Sequence, residues 1–131
     1  MSNCLGSFQK WYFGNYLRDI LMADSAISEA IGTKIFPLVA PENTEGDFIL
    51  YGRKAYTRDR NQMGVYSDNA TVEITIVSEV YDNALWLASR VDYILEGQHQ
   101  VEGIRFQVEL ADSNEEFSEN KYVERLYYIA K

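Results

Sequence analysis

The stretch that decides the fold is residues 72–97, which read VEITIVSEVYDNALWLASRVDYILEG. In its first part Val72, Ile74 and Ile76 alternate with polar residues, the period of a half-buried strand. After Asp82, a predicted N-cap, apolar residues recur every three or four positions, which predicts a helix that ends at Gly97. The apolar face of this helix comprises Ala84, Leu87, Ala88, Val91, Ile94 and Leu95. A strand followed by a one-sided helix indicates a sheet with a helix packed on it.

Two further strands are predicted on the C-terminal side. Residues 104–110 alternate apolar and polar side chains, and residues 122–129 are apolar on both faces. An acidic loop from Asp112 to Asn120 is expected to join them as a wide hairpin connection. His99 precedes both strands in a polar turn, where we interpret it as a solvated loop histidine rather than a general base.

Two helices are predicted at the N-terminal end. The first covers about residues 8–23, because Phe13, Leu17, Ile20 and Leu21 fall on one face. The second is short, with Asp24 as its N-cap and Gly32 as its C-terminal stop.

The segment between these helices and the deciding stretch predicts strands and one long connection. Residues 35–39 are typical of a short edge strand, because Pro37 cannot donate to a sheet ladder. Residues 48–51 predict another strand, which could extend through Tyr56. Residues 57–70 are polar and predict a long loop or a mobile hairpin.

The element order predicts an α+β fold, with a small, mainly antiparallel sheet of about five strands. Two main helices and one short helix are expected to pack on it. The length of 131 residues fits a single domain over 1–131, in which we expect residues 1–7 to be flexible. Buried positions are predicted at Leu17, Ile20, Ile74, Ile76, Leu87, Val91, Ile94, Phe106 and Val108.

Charge is unevenly distributed along a chain whose net charge is −8. This balance argues against a nucleic-acid binder dominated by phosphate contacts. A basic segment contains Arg53, Lys54, Arg58 and Arg60, and an acidic segment contains Glu109, Asp112, Glu115, Glu116 and Glu119. Two interpretations stay open: a pair of solvated loops, or complementary patches on neighbouring copies of the chain.

The first predicted helix begins with an aromatic group, Phe8, Trp11 and Tyr12. One interpretation is that these rings pack in the core or cover one end of the sheet. The other is that Trp11 and Tyr12 are exposed in the monomer and dock on a partner.

The sequence carries little that predicts chemistry. With one Cys and one His there is no zinc-type spacing, and no glycine-rich phosphate loop is present. We therefore expect no catalytic residue, metal or cofactor. No apolar run approaches the ~18 residues that cross a bilayer. The N-terminal residues do not resemble a signal peptide, so we expect maturation in the cytoplasm without membrane association.

Residues 30–37 read AIGTKIFP, with an apolar residue, Gly, a spacer, a basic residue, Ile, an aromatic residue and Pro in succession. Further along the chain come Pro41, the FILY of residues 48–51, the central strand–helix unit, and Phe117 followed by Tyr127-Tyr128-Ile129. In this order and spacing, over about residues 13–130, the chain resembles the tail-completion family of tailed bacteriophages, also called tail terminators or tail-to-head joining proteins. Asp47 departs from the pattern, because the family commonly has Pro there.

The resemblance implies a structural role. Such proteins form a ring, commonly six-fold, at the head-proximal end of a long phage tail, where they end tube growth and meet the head connector. It therefore implies self-association, contacts with tail tube and connector proteins, assembly in the bacterial cytoplasm, and a place in the virion tail. The alternative interpretation is a small cytoplasmic α+β adaptor module that binds other proteins through its aromatic N-terminus.

Overall fold

The computed structural model describes residues 6–60 and 66–130. Its helices are α1 (Ser7–Lys10), α2 (Phe13–Met22), α3 (Ser25–Ile31) and α4 (Tyr81–Leu95). Its strands are β1 (Ile35–Pro37), β2 (Phe48–Arg60), β3 (Tyr66–Ser78), β4 (Gly97–Val101), β5 (Ile104–Ser118) and β6 (Lys121–Ala130). Residues 1–5, most of the segment predicted to be flexible, lie outside the described part. None of the described helices has the length and hydropathy needed to cross a membrane.

One six-stranded sheet forms the centre of the fold, in the order β1-β2-β3-β6-β5-β4. Only β1 and β2 are parallel, and every other pair of neighbours is antiparallel. The mixed class and the mainly antiparallel sheet agree with the prediction. The predicted number of about five strands was wrong, since β4 was interpreted as a polar turn. Its side chains are largely polar because it is an edge strand, and the ladder to β5 holds it in place.

The first helix was predicted as continuous over about 8–23, and this was wrong. Helix α1 ends at Lys10, Trp11 and Tyr12 form a turn, and α2 starts at Phe13. The break coincides with a tertiary contact, since the Trp11 ring packs edge-on against Tyr56 with centroids 4.9 Å apart. Periodicity within the helix could not show this contact.

The predicted cap of the second helix is confirmed. The Asp24 carboxylate accepts the Ile27 N–H at 3.1 Å, and Gly32 ends α3 with a φ of 66°. For α4 the predicted N-cap, Asp82, was wrong, because the helix is capped two residues earlier, at Val80. Asp82 lies instead in the first turn, where a carboxylate favours the positive end of the helix dipole.

Two segments predicted as loops are largely strands. Within residues 57–70, β2 continues to Arg60 and β3 begins at Tyr66, so the hairpin interpretation holds. Residues 61–65 lie outside the described part, and the mobility of this hairpin stays a prediction. The predicted acidic loop belongs to β5, and only Glu119 and Asn120, with φ of 54° and 64°, form the turn. These parts of the strands carry polar side chains on both faces. Their sequence therefore lacks the alternation of apolar and polar residues that would predict a strand.

The core lies between the sheet and helices α2, α3 and α4. We call this side of the sheet the helical face and the other side the open face. The predicted buried positions are confirmed except for Ile20 and Ile94, which are only partly buried. Tyr128, fully buried on β6, donates its hydroxyl proton to Asp92 of α4 at 2.9 Å, and burial raises its pKa.

Candidate assembly surface

The basic segment lies on the second half of β2 and touches the N-terminal aromatic group. The Arg53 guanidinium lies over the Trp11 ring, 4.2 Å from its centroid, and Arg58 lies 5.2 Å from the centroid of Tyr56. A cation over an aromatic face is a favourable contact. Trp11 is half exposed, at 50%. The structure therefore joins Trp11 and the basic segment into one surface, a link that their distance in sequence did not indicate.

The basic side chains divide between the two faces of the sheet. Arg53 pairs with the buried Val72 and, beyond the bulge, Tyr56 pairs with the buried Ala70. Side chains alternate along the strand, so Arg53, Arg58 and Arg60 lie on the helical face. Lys54 sits at a β-bulge and turns to the open face, with its Nζ 4.7 Å from the centroid of Tyr127. One of the two interpretations placed the basic segment in a solvated loop, whereas it lies on a strand with basic side chains on both faces.

Tyr12 lies apart from the basic segment. It packs against Phe8 with ring centroids 5.4 Å apart and is 45% exposed. The two rings border a shallow cavity of about 330 Å³ whose other lining residues are Asn15, Tyr16, Arg18, Asp19 and Glu102. Tyr12 and Phe8 are thus exposed aromatic groups and do not belong to the core.

The acidic segment lies on the second half of β5 and in the turn that follows. Glu115 is on the helical face, where the Tyr81 hydroxyl donates to its two oxygens at 3.1 and 3.2 Å. Glu116 is on the open face and pairs with Arg125. Asp112 is on the open face opposite Tyr127, as is Glu109 opposite Ile129, and Glu119 lies in the turn. The carboxylates are therefore distributed over both faces of one strand.

A carboxyl pair on the helical face was not found from the sequence. Glu124 of β6 lies directly opposite Glu115 in the ladder and is only 8% exposed. Burial, together with a hydrogen bond and charge repulsion from Glu115, raises the pKa of Glu124 to about 7. Two facing carboxyl groups on adjacent strands repel when both are ionised. The β-sheet register that brings them together is invisible in the sequence.

The basic and acidic segments do not meet within one chain. They lie on β2 and β5, and β3 and β6 separate them. The outer edges of the two segments therefore face in opposite directions. Strand β1 pairs only with residues 49–51 of β2, and β4 pairs only with residues 104–108 of β5. Among the strands that the structure describes, none covers the outer edge of either charged segment.

An apolar groove of about 420 Å³ lies on the open face. Phe48, Val77 and Val123 form its floor, and Leu38 and Val39 are strongly exposed at its border. The sequence does not indicate this groove, because its residues come from three strands and a loop. Only the sheet order places them side by side.

The expected position of His99 in a solvated polar turn was wrong. His99 lies in β4, half-buried against Phe106, and its Nε2 is 2.7 Å from the Leu95 carbonyl oxygen. It is therefore not a solvated loop side chain. Within residues 6–60 and 66–130, no group of three or more His, Cys, Asp and Glu side chains is placed to hold a metal ion.

No protein-family model and no curated protein matches the chain. Its fold is similar to that of a chain in the solved structure described as the virion of a native gene transfer agent (GTA) particle. The TM-score is 0.69 at 16% sequence identity, covering 87% of this chain and 89% of that chain. A second solved structure has a TM-score of 0.55 at 14% identity, covering 95% of this chain and 91% of that chain. At these identities the likeness establishes a shared fold.

Proposed function

We propose that this chain is a structural protein of a tailed phage or phage-like particle, and that it completes the tail. The observation that carries the proposal is the shared fold with a chain of the GTA virion, which extends over most of both chains. The tail-completion role is the finer part of the proposal. It is supported by the sequence motifs of residues 30–37 and 48–51, which the structure places in α3–β1 and at the start of β2.

In this role, copies of the chain form a ring, six-fold in our proposal, at the head-proximal end of the tail. A ring requires head-to-tail contacts between two different patches of one surface. The basic segment on β2 and the acidic segment on β5 are two such patches, which lie towards opposite edges of the sheet. Their charges are complementary, which favours a single mode of contact.

The proposed partners are the tail tube protein below the ring and the head connector above it. Assembly would take place in the cytoplasm of the bacterial host, and the protein would remain in the virion tail. The role needs no catalysis, cofactor, base-specific nucleic-acid contact or membrane contact, and we assign none.

Deletion of the gene in the producing bacterium tests this function. We expect headless tails, free heads and tail tubes that exceed the normal length, visible by negative-stain electron microscopy. Expression of the wild-type chain from a plasmid should restore complete particles that contain it. Normal particles without the gene product would contradict the proposal and favour the adaptor interpretation.

A matched pair of charge reversals tests the surface. Arg58→Glu changes the basic segment on the open edge of β2, whereas Arg105→Glu makes the same change where β4 covers β5. We expect only Arg58→Glu to fail in complementation. Equal activity of both variants, at equal protein level, would exclude the basic segment from the functional surface.

A further inference from the structure

We propose that neighbouring copies join by strand addition, so that one continuous sheet runs around the ring. The outer edge of β5 in one copy pairs with the outer edge of β2 in the next. This inference rests on the ring proposed above and specifies its contact. The two stretches are residues 55–60, the β2 edge, and residues 112–118, the β5 edge. Each follows a bulge and then pairs regularly with its inner neighbour.

Both edges present backbone groups on a side that no described strand covers. Such an edge is a template for another strand, and natural proteins usually protect it with charged side chains, proline, very short length or a covering element. Neither edge contains proline, and each belongs to a long strand, Phe48–Arg60 or Ile104–Ser118. The structure thus shows two long, uncovered edges with opposite charge.

The strand directions fit a head-to-tail contact. Strands β2 and β3, β3 and β6, and β6 and β5 are each antiparallel, so β2 and β5 run in opposite directions. When a second copy extends the sheet with its helices on the same side, its β2 is therefore antiparallel to β5 of the first. No copy has to be inverted, and the contact repeats by rotation.

The backbone hydrogen-bonding pattern selects a register. The Ile49 N–H and the Tyr51 carbonyl bond to the β1 side, and bonding sides alternate along a strand. Carried through the bulge, this alternation directs the backbone groups of Tyr56, Arg58 and Arg60 outwards. The same argument on β5 starts from Leu110, whose N–H points outwards to Glu96 at 3.2 Å. It directs Ser113, Glu115 and Phe117 outwards.

One antiparallel register lets the outward backbone groups of the two edges hydrogen-bond and also places complementary side chains opposite each other. It places Tyr56 opposite Phe117, Arg58 opposite Glu115, and Arg60 opposite Ser113, all on the helical face. The Arg58–Glu115 pair is a favourable cross-strand ion pair, and Tyr56 covers Phe117, which is 59% exposed in the single chain. On the open face the same register places Asp59 opposite Asn114 and brings Lys54 towards Glu119.

Disulfide cross-linking tests this register. In a chain with Cys4→Ser, Asp59→Cys and Asn114→Cys should link neighbouring copies, because the register places the two side chains opposite each other on one face. The control combines Asp59→Cys with Glu115→Cys, which is displaced by one residue and points to the other face. Oxidised particles from the producing bacterium, and the purified chain at high concentration, are analysed on non-reducing gels.

We expect a ladder of covalent oligomers from the first pair and on the order of tenfold less product from the control. In the wild type, amide exchange at Tyr56 and Arg58 should slow when the ring forms, which tests the pairing without substitutions. A ring that forms without the specific link, or without this protection, would overturn strand addition and leave the proposed function intact. If the wild-type chain forms no ring in particles or in solution, the proposed function fails with it.

Discussion

At the scale of single residues, the raised pKa of Glu124 beside Glu115 predicts that the stability of the protein depends on pH. Because the folded-state pKa of Glu124 is raised from 4.5 to about 7, its stabilising contribution is fully present below 4.5 and is lost as pH rises through 7. Glu124→Gln should therefore raise the free energy of unfolding at pH 8 by ~1–3 kcal/mol and change it little at pH 4.5. Urea titrations at both pH values measure this. Glu119→Gln in the exposed turn is the control and should change neither value.

Asp24 combines two functions in one carboxylate, which a pair of substitutions can separate. It caps α3 through the Ile27 N–H, and it binds Arg90 of α4 at 2.8 Å. The hydrogen bond from Arg90 lowers the pKa of Asp24, so this contribution is lost as pH falls through the lowered pKa. Asp24→Ala should cost ~1–2 kcal/mol of unfolding free energy, and Asp24→Asn, which keeps an N-cap oxygen, ~0.5–1 kcal/mol. Equal losses in thermal denaturation would mean that the cap contributes nothing.

At the scale of elements, the two faces of β3 should differ in their contribution to stability. Ile74 is fully buried beneath the helices, and Val77 lies on the open face in the groove. Ile74→Ala should cost on the order of 2–5 kcal/mol, because it leaves a cavity that the helices cannot fill. Val77→Ala should cost ~0.5–1.5 kcal/mol, because it borders solvent. Chemical denaturation of both variants measures the difference, and similar losses would show that the open face is as well packed as the core.

At the scale of the whole molecule, the charge map predicts how the ring responds to paired reversals. Arg58→Glu with Arg60→Glu should block ring formation and leave the fold intact. Reversing Glu115 and Glu116 to Lys on the same chain should restore it in part. The rescue should come from Glu115, which shares the helical face with both arginines, because Glu116 lies on the open face and binds Arg125. Sedimentation velocity and circular dichroism separate assembly from folding. A quadruple variant that assembles as poorly as the double one would show that the segments do not meet.

Much of the fold could be predicted from the sequence because local patterns carry it. Alternation identified β3, and three- and four-residue spacing identified α4 and most of its buried face. Asp24 and Gly32 identified the ends of α3, since capping depends on neighbouring residues. The sequence also showed the basic and acidic segments as sets of residues. It did not establish whether they were loops or strands, nor whether they were near each other.

Strand order and register were decided by the tertiary structure alone. A strand that is polar on both faces, such as the second half of β5, has no period of its own and exists because β6 pairs with it. Three features join residues that are distant in sequence. They are the pair of Glu124 and Glu115, the contact of Trp11 with Arg53, and the groove above Val77. The physical reason is that hydrogen-bonded ladders and side-chain packing act between segments. The sequence by itself therefore determined which segments bury an apolar face. Only the assembled sheet decided which charged strand edges have no neighbouring strand.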